Sequence, residues 1–138
     1  TARDVMRLAR RFFCADEITA LEDCDTAVQR DRFYDYWTLK EAAVKCRGER
    51  LAAGLDSRGF TLEFEGDFAA LGGRIAAKST DRVDKASYCL LDPFPEYRLA
   101  ICCLNGIHGL PQLQLCELSA IGRASLLNVP LRASTWRK

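Results

Sequence analysis

Histidine is nearly missing from this sequence, and His108 is its only example. The seven cysteines are odd in number and none forms a CxxC pair. A zinc site needs closely spaced ligands of these types, and a disulfide framework needs an even, patterned set. Neither is expected here, and a reducing cytoplasm is the expected setting. No apolar run approaches the length of a membrane span, and the opening TARDVMRLARR has no signal-peptide core. Charge of one sign is lacking too, since 20 basic residues face 19 acidic ones and leave a formal +1. No global field therefore marks the chain for nucleic acid or a membrane surface, and any anion site must be local. Internal repeats and low-complexity segments are also lacking. The first residue is Thr1 rather than methionine, which fits a piece of a longer protein.

What is present suits one globular domain. The chain has 138 residues, of which 49% are hydrophobic and 28% charged, enough to bury a core. Helical spacing comes first: Val5, Leu8, Ala9, Phe12 and Phe13 recur at helical intervals over Asp4–Phe13. Cys14-Ala15-Asp16-Glu17 then reads as a capping box with Glu17 at the N3 position. After a break near Asp23–Asp25, a long helix is expected from Thr26 to Arg47, stopped by Gly48. The segment from Gly48 to Gly59 reads as a loop. Strands are expected at Phe60–Phe64, Arg74–Lys78, Ser87–Leu91, Tyr97–Leu104 and Leu113–Leu118. Glycine, proline, aspartate and asparagine turns separate them. The pattern is α+β, with N-terminal helices on one face of a small, mostly antiparallel sheet. Residues 1–120 form the expected lobe, and 121–138 an irregular tail or linker.

Phe33-Tyr34-Asp35-Tyr36-Trp37-Thr38-Leu39-Lys40-Glu41-Ala42-Ala43-Val44-Lys45 carries the chemistry. A helix turns about 100° per residue, so Trp37, Glu41 and Lys45 share an arc of roughly 80°. Phe33, Trp37 and Val44 make an apolar stripe, with Glu41 and Lys45 on one margin and Lys40 on the other. A carboxylate and an ammonium on one face can divide a metal-phosphate site between them. The same spacing also describes an ordinary surface ion pair. Elsewhere, His108 reads as a solvated loop residue. Cys102 and Cys103 alternate across an expected strand and read as core packing.

Trp37-Thr38-Leu39-Lys40-Glu41-Ala42, followed by Lys45 and Arg47-Gly48, resembles the WxxKEAxxK signature of the two-lobed 4′-phosphopantetheinyl transferases. Arg10-Arg11-Phe12-Phe13 with Glu17 resembles the family's RFF…E segment. Gly54-Leu55 and the stretch DPFPEYRLAIC from Asp92 to Cys102 resemble its loop and final hairpin. The resemblance covers about residues 7–104. It implies one lobe of a pseudo-dimer that moves phosphopantetheine from coenzyme A, the substrate, to a serine of an acyl or peptidyl carrier protein. It implies Glu41 as a Mg²⁺ ligand that helps activate the serine, Lys45 on the pyrophosphate, and Lys40 on the phosphate side. Trp37 and Phe33 would fix the helix in the core. The family's GxDxE strand of further metal ligands is not in this sequence. A missing N-terminal lobe or a second chain is therefore an expected partner. The rival reading is a non-catalytic module that keeps the fold and the carrier-protein surface.

Overall fold

The computed structural model describes residues 2–50, 58–64, 73–78, 86–104, 114–118, 122 and 124–135. Gly54-Leu55 and His108, both used in the sequence analysis, lie outside the described residues.

Three helices open the chain, α1 (Ala2–Phe12), α2 (Ala15–Glu22) and α3 (Thr26–Cys46). On α1, Val5, Met6 and Ala9 are buried, with Phe13 just past its end, so one helical face meets the core. The capping box at the start of α2 forms, and the Glu17 side chain accepts the Cys14 N–H at 3.0 Å. The 21 residues of α3 make a rod about 30 Å long. Phe33, Tyr36, Leu39, Ala43 and Val44 form its inner face. The helix stops where the sequence indicates. Gly48 has φ +67°, its N–H bonds Lys45 O at 3.1 Å, and Glu49 N–H bonds Val44 O at 3.0 Å. This pair of bonds is the Schellman closure, and its left-handed residue favours glycine.

The strands are β1 (Gly59–Glu63), β2 (Gly73–Lys78), β3 (Ser87–Leu91), β4 (Leu99–Cys103), β5 (Leu115–Leu118), β6 (Ala124–Leu127) and β7 (Leu131–Ser134). Five of them make one sheet in the order β1-β2-β7-β3-β4, and β5 and β6 pair as a separate ribbon. Within the large sheet only the β2–β7 pairing is parallel. Phe60, Ile75, Tyr88, Leu90 and Ala133 of the sheet share one core with α1, α2 and α3. The α+β reading, helices on a mostly antiparallel sheet, is what the structure shows.

The irregular tail is a correction. Residues 124–127 and 131–134 are strands, and β7 lies inside the sheet between β2 and β3. Ala133 is fully buried and faces Leu90. Four residues following Pro130 carry too little alternation to announce a strand. Bonding on both sides makes them one.

Candidate active site

Three attachments set how α3 sits. The first is aromatic, where Phe13 stacks on Phe33 at 5.2 Å and Phe12 meets Trp37 edge-on at 5.8 Å. Phe33 is buried and Trp37 packs half-buried beside it at 5.8 Å. Both rings therefore anchor the helix.

The second is ionic and buried. Lys40 Nζ lies 2.8 Å from Glu17 Oε2, and neither side chain has exposed surface. Lys40 also donates to the Arg58 carbonyl at 2.5 Å. Glu17 Oε1 accepts the Phe60 N–H at 2.9 Å. One carboxylate thus ties the start of α2, the middle of α3 and the start of β1. Beside it Gly59 is needed for clearance, because a Cβ there would stand 2.9 Å from Cys14 Sγ. Sequence reasoning places Lys40 on the phosphate side; in the structure its ammonium is inside the fold. The partnership has no signal in local spacing, although Glu17 and Lys40 both belong to the quoted motifs.

The third attachment is a carboxylate–guanidinium network that sequence reasoning missed. Asp35 is fully buried and accepts from Arg98 Nε at 2.9 Å and from Arg132 Nε and Nη2 at 2.8 and 2.9 Å. Arg132 reaches Asp92 as well, at 3.4 Å. A buried carboxylate is tolerated only with such full satisfaction. Arg132 belongs to β7, so the last strand braces the signature helix.

With those faces engaged, Glu41 and Lys45 are left on the outer side. Their carboxylate and ammonium are 3.5 Å apart, with the side chains 30% and 67% exposed. Thr38, one turn before, turns its hydroxyl back to the Tyr34 carbonyl at 2.7 Å. The structure therefore brings Glu41 and Lys45 together and separates Lys40 from them. An exposed pair of this kind contributes only about 0.3–0.5 kcal/mol to the fold, so stability gives it little purpose. Among the described residues no group of three or more His, Cys, Asp or Glu side chains gathers to hold a metal, and Glu41 offers one carboxylate.

A family model described as the 4′-phosphopantetheinyl transferase superfamily matches residues 1–102. The chain belongs to that superfamily. The match takes in all three helices and ends within β4, so the transferase signature helix is covered and β7 is not. The chain is similar to 4′-phosphopantetheinyl transferase Sfp of Bacillus subtilis, 30% identical over 100 residues, covering 70% of this chain and 40% of that protein. It is also similar to 4′-phosphopantetheinyl transferase psf-1 of Bacillus pumilus, 30% identical over 101 residues, covering 70% and 39%. A putative 4′-phosphopantetheinyl transferase of Synechocystis is 37% identical over 51 residues, covering 37% and 21%. The chain spans about two fifths of the length of the Bacillus transferases it matches. No solved structure matches it. Among the described residues, no helix is long and apolar enough to cross a membrane.

Proposed function

We propose that this chain supplies the signature helix of an enzyme that transfers 4′-phosphopantetheine from coenzyme A to a serine of an acyl or peptidyl carrier protein in the cytoplasm. The observation that carries this reading is the outward Glu41–Lys45 pair on a helix whose other charged residue of the signature, Lys40, is used inside. In the reaction a serine hydroxyl attacks phosphorus and the diphosphate bond breaks, leaving adenosine 3′,5′-bisphosphate. Lys45 places its ammonium against the pyrophosphate as a mobile point charge. Glu41 lies on the same face, one turn away, and takes the hydroxyl proton or offers one oxygen to Mg²⁺. When bound, Mg²⁺ supplies charge neutralisation of the diphosphate. Lys40 serves the phosphate side from behind, by fixing the rotation of α3 through Glu17. Further ligands and the adenine pocket come from a second lobe or a second chain, a reading supported by the single carboxylate that Glu41 brings and by the lack, among the described residues, of a cluster that could hold a metal.

The 138-residue chain, mixed with coenzyme A, Mg²⁺ and an apo carrier protein, is expected to leave the carrier's mass unchanged. Joined to a first lobe bearing the acidic strand, it is expected to add one phosphopantetheine per carrier. Modification by the chain alone would show that it holds a whole site. No modification by the joined protein would remove the transferase reading.

In the joined protein, Lys45→Ala is expected to raise KM for coenzyme A at least several-fold. Its effect on unfolding free energy should stay below about 1 kcal/mol, as for an exposed pair. A loss of stability with unchanged KM would return Lys45 to an ordinary surface role.

A further inference from the structure

Cys46 ends α3, and its thiol is open to solvent. It reaches across to β4, where Sγ lies 3.3 Å from the Cys102 carbonyl oxygen. Cys102 packs against the core on the same side of β4 as Tyr88, its partner across the strand pair, so two cysteines 56 positions apart in sequence meet here. Cys102 itself is half-buried against the core, so a reagent in solvent meets Cys46 first. Cys103, the next residue, points to the opposite face of β4 and is not a rival partner.

The surroundings of Cys102 suit a thiol that acts second. Burial pushes it up to about 11, the Cys46 contact adds to this, and the Tyr88 hydroxyl and Arg47 guanidinium oppose it. Arg47 Nη1 lies 3.4 Å from that hydroxyl, so a cation and a phenol back the sulfur. A thiolate of high basicity is rare but strongly nucleophilic once formed, and a Cys46 thiol already held against the Cys102 main chain has little distance to travel.

We propose that Cys46 and Cys102 are a reversible modification site, in which Cys46 takes up a small disulfide and Cys102 resolves it into a bridge between α3 and β4. In the first step the Cys46 thiolate attacks one sulfur of the external disulfide. The external S–S bond breaks, and the departing thiolate takes a proton. In the second step Cys102 loses its proton to solvent and attacks Cys46 Sγ, and the second external thiolate leaves and is protonated. Two protein thiols are oxidised and one external disulfide is reduced to two thiols. The bridge would close a long loop and pin the last turn of α3, next to Lys45. The proposal stands whether or not the transferase reading does.

The test uses the whole chain and glutathione disulfide. Fresh reduced protein should titrate seven thiols after denaturation, one for each cysteine. After exposure the count should fall by two, peptide mapping should show Cys46 joined to Cys102, and dithiothreitol should restore the starting count. Cys102→Ser should stop at a glutathione adduct on Cys46, and Cys46→Ser should give no bridge, both with unchanged circular dichroism. An unchanged thiol count, a lasting adduct on Cys46 of the unaltered protein, or a bridge from Cys46 to another cysteine would each overturn the proposal.

Discussion

Glu17→Gln is expected to destabilise the fold by about 3–5 kcal/mol, the cost of leaving a buried charge without its partner. The change is small in shape. Glutamine can still accept the Phe60 N–H, which Glu17 Oε1 takes at 2.9 Å. What it removes is the negative charge 2.8 Å from Lys40 Nζ and, at the same oxygen, the acceptor of the Cys14 N–H, in a place where neither the Glu17 nor the Lys40 side chain has exposed surface. The Arg58 carbonyl and the Phe13 ring, 5.3 Å from the ammonium, remain but carry no net charge. Lys40 must then deprotonate, draw in water or force α3 outward. Each route loosens the junction of α2, α3 and β1. The double change Glu17→Gln with Lys40→Met should recover most of the loss, since the ammonium goes with its partner. Urea unfolding of the three variants checks this. A single-variant cost below about 1 kcal/mol would mean that the pair is not buried as described.

On the proposed transferase reading, Glu41→Gln in the chain joined to a first lobe is expected to lower transfer about 100-fold or more, as loss of a general base or charged ligand commonly does. The fold should barely notice. Glu41 sits on the outer side of α3, where its carboxylate meets the exposed Lys45 at 3.5 Å. Glutamine keeps the size of the side chain and its helix propensity. It cannot accept the serine proton at neutral pH or bring negative charge to a cation. Mass gain of the carrier protein measures the rate, and a melting curve measures the fold. Transfer within a few-fold of the unaltered protein would end the assigned role for Glu41. The contrast between the two glutamate variants is informative. Lys40 and Glu41 are neighbours in one signature, but one is buried and the other reaches solvent, so one test reads stability and the other reads chemistry.

Elements governed by local physics are legible in the sequence. Gly48 marked the end of α3 because a left-handed residue there lets Gly48 and Glu49 close the last carbonyls. Glu17 marked the start of α2 because its carboxylate reaches back to the Cys14 N–H three residues away. Alternation between turn residues gave β1 to β4, with ends shifted by a few residues, as Tyr97 and Arg98 precede β4 rather than begin it. The Trp37–Lys45 run placed Glu41 and Lys45 on one face, and the structure holds them 3.5 Å apart there. These features depend on residues close together in the chain.

Lys40 and β7 depend on residues far away. On a helical wheel Lys40 lies at the margin of the apolar stripe, where spacing alone permits either solvent or core, and Glu17 on another helix, with the Arg58 carbonyl, draws it in. Leu131–Ser134 has too few residues to show a period, and its place between β2 and β3 comes from hydrogen bonds to both and from the Arg132–Asp35 contact. The sequence by itself determined the helices, most strands, the family and the outward pair on α3, because each is written in local spacing or in a contiguous motif. Only the tertiary structure decided which charges of that motif face solvent and which strand completes the sheet. A buried charge is tolerated only where a distant partner satisfies it, and a short strand forms only where neighbours on both sides bond it.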